Sequence, residues 1–190
     1  MADIVCPVCK KNIKKGKLFI GYIHPRCLET KRVEFTIEET ETPEEMKQVE
    51  KLCLDTYGEL DFIEMGKWYD VRKMKNLVAI ENKKVIGFAS WKKEGKRLFL
   101  LMILVEPKYI RSGIATALLD KIKDIAPKLK VKSIMVPISN DDLVSYVFYQ
   151  KNGFRLSGID LCLPEKRHGR EKEGFWGLPC RDEFYLEYKP

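Results

Sequence analysis

The sequence predicts a mixed α/β domain, built on a mostly antiparallel sheet flanked by helices, with a small metal-binding module in front of it. Three observations carry that expectation. Residues 98–126 read as a buried strand, a glycine turn and an amphipathic helix. Two further apolar runs precede them at hairpin spacing. Residues 6–27 hold two paired knuckles, Cys-x-x-Cys and His-x-x-Cys.

At 190 residues the chain suits one domain with a small appendage. Hydrophobic residues, at 45%, are enough to fill a core. No apolar run approaches the ~18–20 residues needed to cross a bilayer. The opening MADIVCPVCKK lacks the apolar stretch of a secretory signal, so the expected location is the cytoplasm, where the six cysteines stay reduced. Charge is unevenly placed. Lys10, Lys11, Lys14, Lys15, Lys17, Arg26, Lys31 and Arg32 outweigh Asp3 and Glu29, so residues 1–32 carry +6 of the net +7. An acidic partner such as nucleic acid or the ribosome, or plain solubility, accounts for that imbalance.

Cys6, Cys9, His24 and Cys27 supply three thiolates and an imidazole, a closed tetrahedral set for Zn²⁺. A segment this short has no core of its own, so metal binding would supply its folding energy. With no open coordination position, the expected site is structural. Its spacing resembles one zinc-binding half of a LIM-type or treble-clef finger.

The main body follows in order. Val33, Phe35 and Ile37 alternate with charged residues as a half-buried strand. Thr42-Pro43-Glu44-Glu45 is a capping box with proline at the first helical position. Met46, Val49, Cys53 and Tyr57 then form one helical face, and Gly58 ends it. Residues 60–74, with Trp68 and Tyr69, read as a second, less regular helical segment. Residues 76–80, 85–91 and 98–105 form an antiparallel meander. After the turn Lys108-Tyr109-Ile110-Arg111-Ser112-Gly113, the residues Ile114, Leu118, Ile122 and Ile125 recur at helical spacing. A helix start after such a turn leaves backbone N–H groups unpaired, and the helix dipole adds positive potential there, which suits phosphate oxygens. Residues 133–138 give a short strand. Asp141 or Asp142 caps a helix running to Asn152, with Gly153 as its left-handed terminator. Residues 154–163 and 183–188 are two final strands around a long charged loop, 164–181, that contains Phe175 and Trp176.

This order of elements resembles the GNAT superfamily of acyl-CoA-dependent N-acetyltransferases. Two stretches carry the likeness: V-E-P-K-Y-I-R-S-G-I-A-T-A-L-L at 105–119 and V-F-Y-Q-K-N-G-F at 147–154. The resemblance covers residues 33–190 and leaves 1–32 as the zinc module. It implies the family's three-layer fold, with a central sheet between helices. It also implies acetyl-CoA as co-substrate. The family's diphosphate pattern, Gln/Arg-x-x-Gly-x-Gly/Ala, falls on residues 110–115; Gly113 and Ala115 fit, whereas Ile110 replaces the polar first residue. The implied cofactor contacts are Ile103, Leu104 and Val105 at the strand end, then Arg111, Ser112, Gly113, Ile114, Ala115 and Thr116. Tyr149 matches the family's general acid. The base stays open among Glu106, Glu64, Asp61 and Asp141. The expected function is direct acetyl transfer from acetyl-CoA to a primary amine, on a protein or a small molecule. The alternative is a zinc-containing adaptor for nucleic acid or the ribosome, whose acyltransferase-like body is degenerate or only senses acyl-CoA. Cys162, His168 and Cys180 lack paired spacing and are expected to pack or face solvent.

Overall fold

The computed structural model describes residues 33–161 and 172–190. The predicted zinc ligands Cys6, Cys9, His24 and Cys27, the basic segment, and Cys162 and His168 lie outside them.

Strand β1 (Thr36–Glu39) leads into helix α1 (Pro43–Tyr57). The capping box forms as predicted: the Thr42 hydroxyl accepts from the Glu45 N–H at 3.2 Å, and Glu45 accepts from the Thr42 N–H at 3.1 Å. Gly58 closes the helix at φ +76°. Residues 60–74 correct the sequence reading. They form a hairpin, β2 (Asp61–Glu64) and β3 (Lys67–Asp70), followed by one 3₁₀ turn. The turn residues Met65 and Gly66 both have positive φ, +51° and +70°, as a two-residue hairpin turn requires and a helix forbids.

The meander is β4 (Lys75–Glu81), β5 (Lys84–Glu94) and β6 (Arg97–Val105), and it leads to α2 (Ile114–Lys128). Then come β7 (Ser133–Ser139), α3 (Leu143–Lys151), β8 (Arg155–Asp160), the short pair β9 (Lys172–Glu173) and β10 (Pro179–Cys180), and β11 (Glu183–Tyr188). Among the described residues the main sheet has seven strands, in the order β1-β4-β5-β6-β7-β11-β8. Every neighbour is antiparallel except β6 and β7.

Strand alternation sends side chains to two cores. Leu77, Ala79, Leu98 and Leu100 pack with Ile114, Leu118, Leu119 and Ile122 of α2 on one face. Val78, Phe88, Phe99 and Leu101 pack with Val49, Leu52 and Cys53 of α1 on the other. The result is the expected three layers. Each fully buried leucine or isoleucine contributes about 1.5–3 kcal/mol, so both helices are held mainly by these faces. Among the described residues no helix is long and apolar enough to cross a membrane.

Candidate active site

Two neighbouring strands part company at the centre of the sheet. β6 pairs with β5 along its length, but it meets β7 at only three positions, Arg97↔Ser133, Leu98↔Ile134 and Phe99↔Met135. Beyond Phe99 the strands diverge, while β7 stays paired to β11 up to Ser139. A bulge marks the parting point. Ser90 opposes Met102 and Trp91 opposes Leu100, so Leu101 is the extra residue and re-aims the end of β6. Pro137 lies on β7 past the last shared rung, where a missing N–H is tolerated inside a sheet. Met102 to Val105 therefore have no rung to β7, and backbone polar groups left without a ladder need another partner. Ile103, Leu104 and Val105 stand on this open edge.

The chain leaves β6 through one 3₁₀ turn at Pro107–Tyr109. Its turns are locked internally: the Tyr109 N–H donates to the Glu106 carbonyl at 2.8 Å, and the Ser112 hydroxyl donates to the Tyr109 carbonyl at 2.5 Å. The Tyr109 hydroxyl also bonds Glu81, tying the loop to the β4–β5 turn. Arg111 takes φ +70° and Gly113, at the N-cap of α2, takes φ +88°. The first helical bond runs from the Ala117 N–H to the Gly113 carbonyl at 3.0 Å, and no side chain caps the helix. The N–H groups of Ile114, Ala115 and Thr116 thus precede the first helical bond and lie at the positive end of the α2 dipole. Gly87 on β5 brings this helix start close, because a Cβ there would lie 3.0 Å from Ile114 Cγ2 and from the Leu104 carbonyl. All nine sequence-predicted cofactor residues meet at this one end of the sheet.

Tyr149 sits on α3, buried between Phe148 and Phe154 at centroid distances of 5.1 and 5.2 Å. It shares an apolar cluster with Ile103 and Val105. Burial, then the nearby charges of Asp142 and Tyr57, pushes its hydroxyl well above the ordinary phenol range. Tyr57, the last residue of α1, is half exposed; partial burial, then Asp142, Cys53 and Glu64, raises its hydroxyl to about 12. The charge of Asp142 thus bears on both Tyr57 and Tyr149, and that of Glu64 on Tyr57.

The residues 37–154 match the family model described as acetyltransferase (GNAT) family. The chain belongs to that family. The fold agrees with solved structures of GNAT acetyltransferases. A GNAT family acetyltransferase of Elizabethkingia anophelis with acetyl-CoA bound is 19% identical, with 82% of this chain and 98% of that one covered at a TM-score of 0.62. A Bacillus subtilis acetyltransferase in complex with CoA is 22% identical, with 83% and 99% covered at a TM-score of 0.61. The uncharacterized protein YxbD of Bacillus subtilis is 32% identical over 78 residues. That match spans 39% of this chain and about half, 49%, of the relative.

Within this GNAT framework the four candidate bases separate. Glu106 is held by Lys84 at 2.7 Å and Lys108 at 3.8 Å on the outer side of the loop. Asp61 is exposed and lies 3.5 Å from Arg72. The charge of Glu64 contributes to raising Tyr57 and Tyr69. Asp141 is buried; one oxygen accepts from the Phe175 N–H at 2.7 Å and the other has no partner. Sequence reasoning missed Glu183, the first residue of β11, which is buried and accepts from the Met65 N–H at 3.2 Å. It took Tyr57 for helix packing and Asp142 for a cap alone, because the charge of Asp142 bears on Tyr57 only in the folded chain. Cys180 is half-buried on β10, and no group of three potential metal ligands occurs among the described residues.

Proposed function

We propose that this GNAT family member transfers an acetyl group from acetyl-CoA directly to a primary amine within a ternary complex. The observation that carries the reading is the divergence of β6 from β7 beside the uncapped start of α2. The vacant rungs of Ile103, Leu104 and Val105 suit the amides of a pantetheine arm, and the N–H groups of Gly113 to Thr116 suit its diphosphate. Arg111 adds positive charge at the mouth. The solved relatives above hold acetyl-CoA or CoA, which supports the same ligand here.

The chemistry follows from the residues. The amine nitrogen attacks the thioester carbonyl carbon and a tetrahedral oxyanion forms, within reach of backbone donors near Val105. The C–S bond then breaks, and the Tyr149 O–H gives its proton to the departing thiolate. Burial keeps that phenol protonated, as a general acid needs. The ammonium proton leaves to water or to a carboxylate on the acceptor side, the base staying open among Glu64, Asp61, Glu106 and Asp141.

Residues 1–32 complete the proposal as a structural zinc module on Cys6, Cys9, His24 and Cys27, ahead of the transferase domain at 33–190. Its charge leaves room for an acidic partner. RNA binding that falls steeply with salt and disappears with residues 1–32 would favour the adaptor reading instead. The deciding experiment is release of CoA thiol from acetyl-CoA, screened against peptide and small-amine acceptors, with zinc measured by elemental analysis on the same sample. Acetyl-CoA hydrolysis alone, with no amine acetylated, would overturn the transfer.

A further inference from the structure

The loop between β6 and α2 holds a shape that its own residues do not favour. Arg111 is not a glycine, yet it takes φ +70°, in the left-handed region that side chains disfavour. A chain bent in this way keeps its N–H groups together only if something holds it. The bonds inside the loop run through Tyr109. Its N–H donates to the Glu106 carbonyl at 2.8 Å, which closes one turn. The Ser112 N–H and hydroxyl both return to the Tyr109 carbonyl, at 3.2 and 2.5 Å. Ser112 in turn precedes Gly113, the N-cap of α2.

The same loop is gripped from outside by the β4–β5 turn. Asn82 and Lys83 take φ +48° and +65°, the two positive values of a tight hairpin turn. Glu81 and Lys84 are the opposed pair that this turn brings together, so their side chains leave on one face. Both reach the loop. The Glu81 carboxylate accepts from the Tyr109 hydroxyl, and the Lys84 ammonium meets the Glu106 carboxylate at 2.7 Å. The turn from Glu106 to Tyr109 is therefore held at both ends. The two grips differ in weight. Lys84 is exposed and shares Glu106 with Lys108, at 3.8 Å, so solvent screens that pair. Tyr109 is partly buried against the larger apolar core, and its phenol bonds a charged acceptor, the stronger kind of hydrogen bond.

We infer that Tyr109 and Glu81 are positioning residues for acetyl-CoA: together they hold the β6–α2 loop in the shape that receives the diphosphate, and so select CoA over ligands that lack one. The inference rests on the reading above, in which the N–H groups of Gly113 to Thr116 take the diphosphate. Neither side chain needs to touch the cofactor. The Tyr109 hydroxyl is engaged by Glu81, and Glu81 carries the wrong charge for a phosphate contact. Their action passes along the chain, from Glu81 to the Tyr109 ring, from the Tyr109 carbonyl to Ser112, and from Ser112 to the helix start. With the loop held, phosphate oxygens meet donors already in place, and binding loses less to ordering them.

The test is calorimetric titration of the full chain with CoA and with pantetheine, which carries the same arm but no diphosphate. Tyr109→Phe keeps the ring and its packing and loses the bond. Its Kd for CoA should rise about tenfold, while its Kd for pantetheine stays within about twofold of the wild type. Glu81→Ala should match it. The double variant Tyr109→Phe with Glu81→Ala should be no worse than either single one, because the same bond is lost in all three. Glu81→Gln keeps an acceptor for the hydroxyl and should recover most of the affinity. Equal losses on CoA and pantetheine would mean that the pair serves the fold at large, and would overturn the inference. Unchanged CoA affinity in Tyr109→Phe, additive losses in the double variant, or no recovery in Glu81→Gln would overturn it too. Gly113→Val separates this outcome from failure of the cradle itself. If Gly113→Val weakens CoA binding and Tyr109→Phe does not, the clamp alone falls; if neither does, the cradle falls with it.

Discussion

Gly113 shows how a single residue controls the candidate site. A Cβ there would meet nothing within 4 Å, so substitution crowds no neighbour. The constraint is the backbone: φ +88° lies where L-residues pay about 1–2 kcal/mol and β-branched ones more. Gly113→Val should pull the loop out of shape and weaken CoA binding by about tenfold, with the melting temperature little changed. Calorimetric titration with CoA checks this, and unaltered affinity would count against the phosphate cradle. Tyr149 is constrained differently. Tyr149→Phe keeps the packing against Phe148 and Phe154 and removes only the hydroxyl that we propose as the proton donor. Turnover should fall by about 10²–10⁴ with CoA affinity retained. A variant with normal kcat would remove Tyr149 from the mechanism.

At the scale of elements, what can be read from sequence depends on whether a signal is local. The α1 capping box, the Gly58 stop and the Gly113 turn are written in adjacent residues, and each appears where the pattern places it. Residues 60–74 misled because Phe62, Met65 and Tyr69 recur at helical spacing, while the deciding Met65-Gly66 turn is two residues long. The β6–β7 divergence is a different case: an apolar run announces a strand but not where its partner leaves. For the same reason the sequence does not tell that Glu183 accepts from the Met65 N–H, or that Asp142, read as a cap, also bears on Tyr57 and Tyr149. Contacts between elements also set the next prediction. The Asp141–Phe175 bond and the Asn140 side chain, which accepts from the Arg181 and Asp182 N–H groups at 2.8 and 3.0 Å, strap the β9–β10 segment to the start of α3. A Cβ on Gly174 would lie 2.4 Å from Asp141 Oδ2 and 2.7 Å from the Leu178 carbonyl. Gly174→Ala should break the strap, at a cost of about 1–3 kcal/mol. Limited proteolysis should then cut near residues 174–180 faster than in the wild type, and equal cleavage rates would show that the strap does not hold this segment.

For the whole molecule, the perturbed groups make stability against pH lopsided. The groups lowered by the fold are Glu45, through backbone N–H bonds near the surface, and Asp70, whose carboxylate is 9% exposed but held by the exposed Arg72. Their contribution is present above the unfolded carboxylate values and lost as pH falls through the folded ones, but solvent screening keeps it small. The raised groups are deeper. Burial lifts the Cys53 thiol from 9.0 to about 11, and lifts Tyr69, beside Glu94, from 10.0 to about 12. Tyr57 rises to about 12 and Tyr149 higher still. In all four the fold favours the neutral form. Below pH 9 both folded and unfolded chains keep these protons, and stability is full. Above it the unfolded chain ionises first, so stability falls as pH rises towards and through the folded values. Tyr57 contributes least because its ring is half exposed. The urea midpoint should therefore hold level from neutrality to about pH 9 and drop steadily to about pH 12. Cys53→Ala together with Tyr69→Phe removes two of the four groups and should flatten that slope, whatever it does to the midpoint at neutrality. A slope unchanged in the double variant would mean that alkaline unfolding has another origin, such as loss of lysine charge.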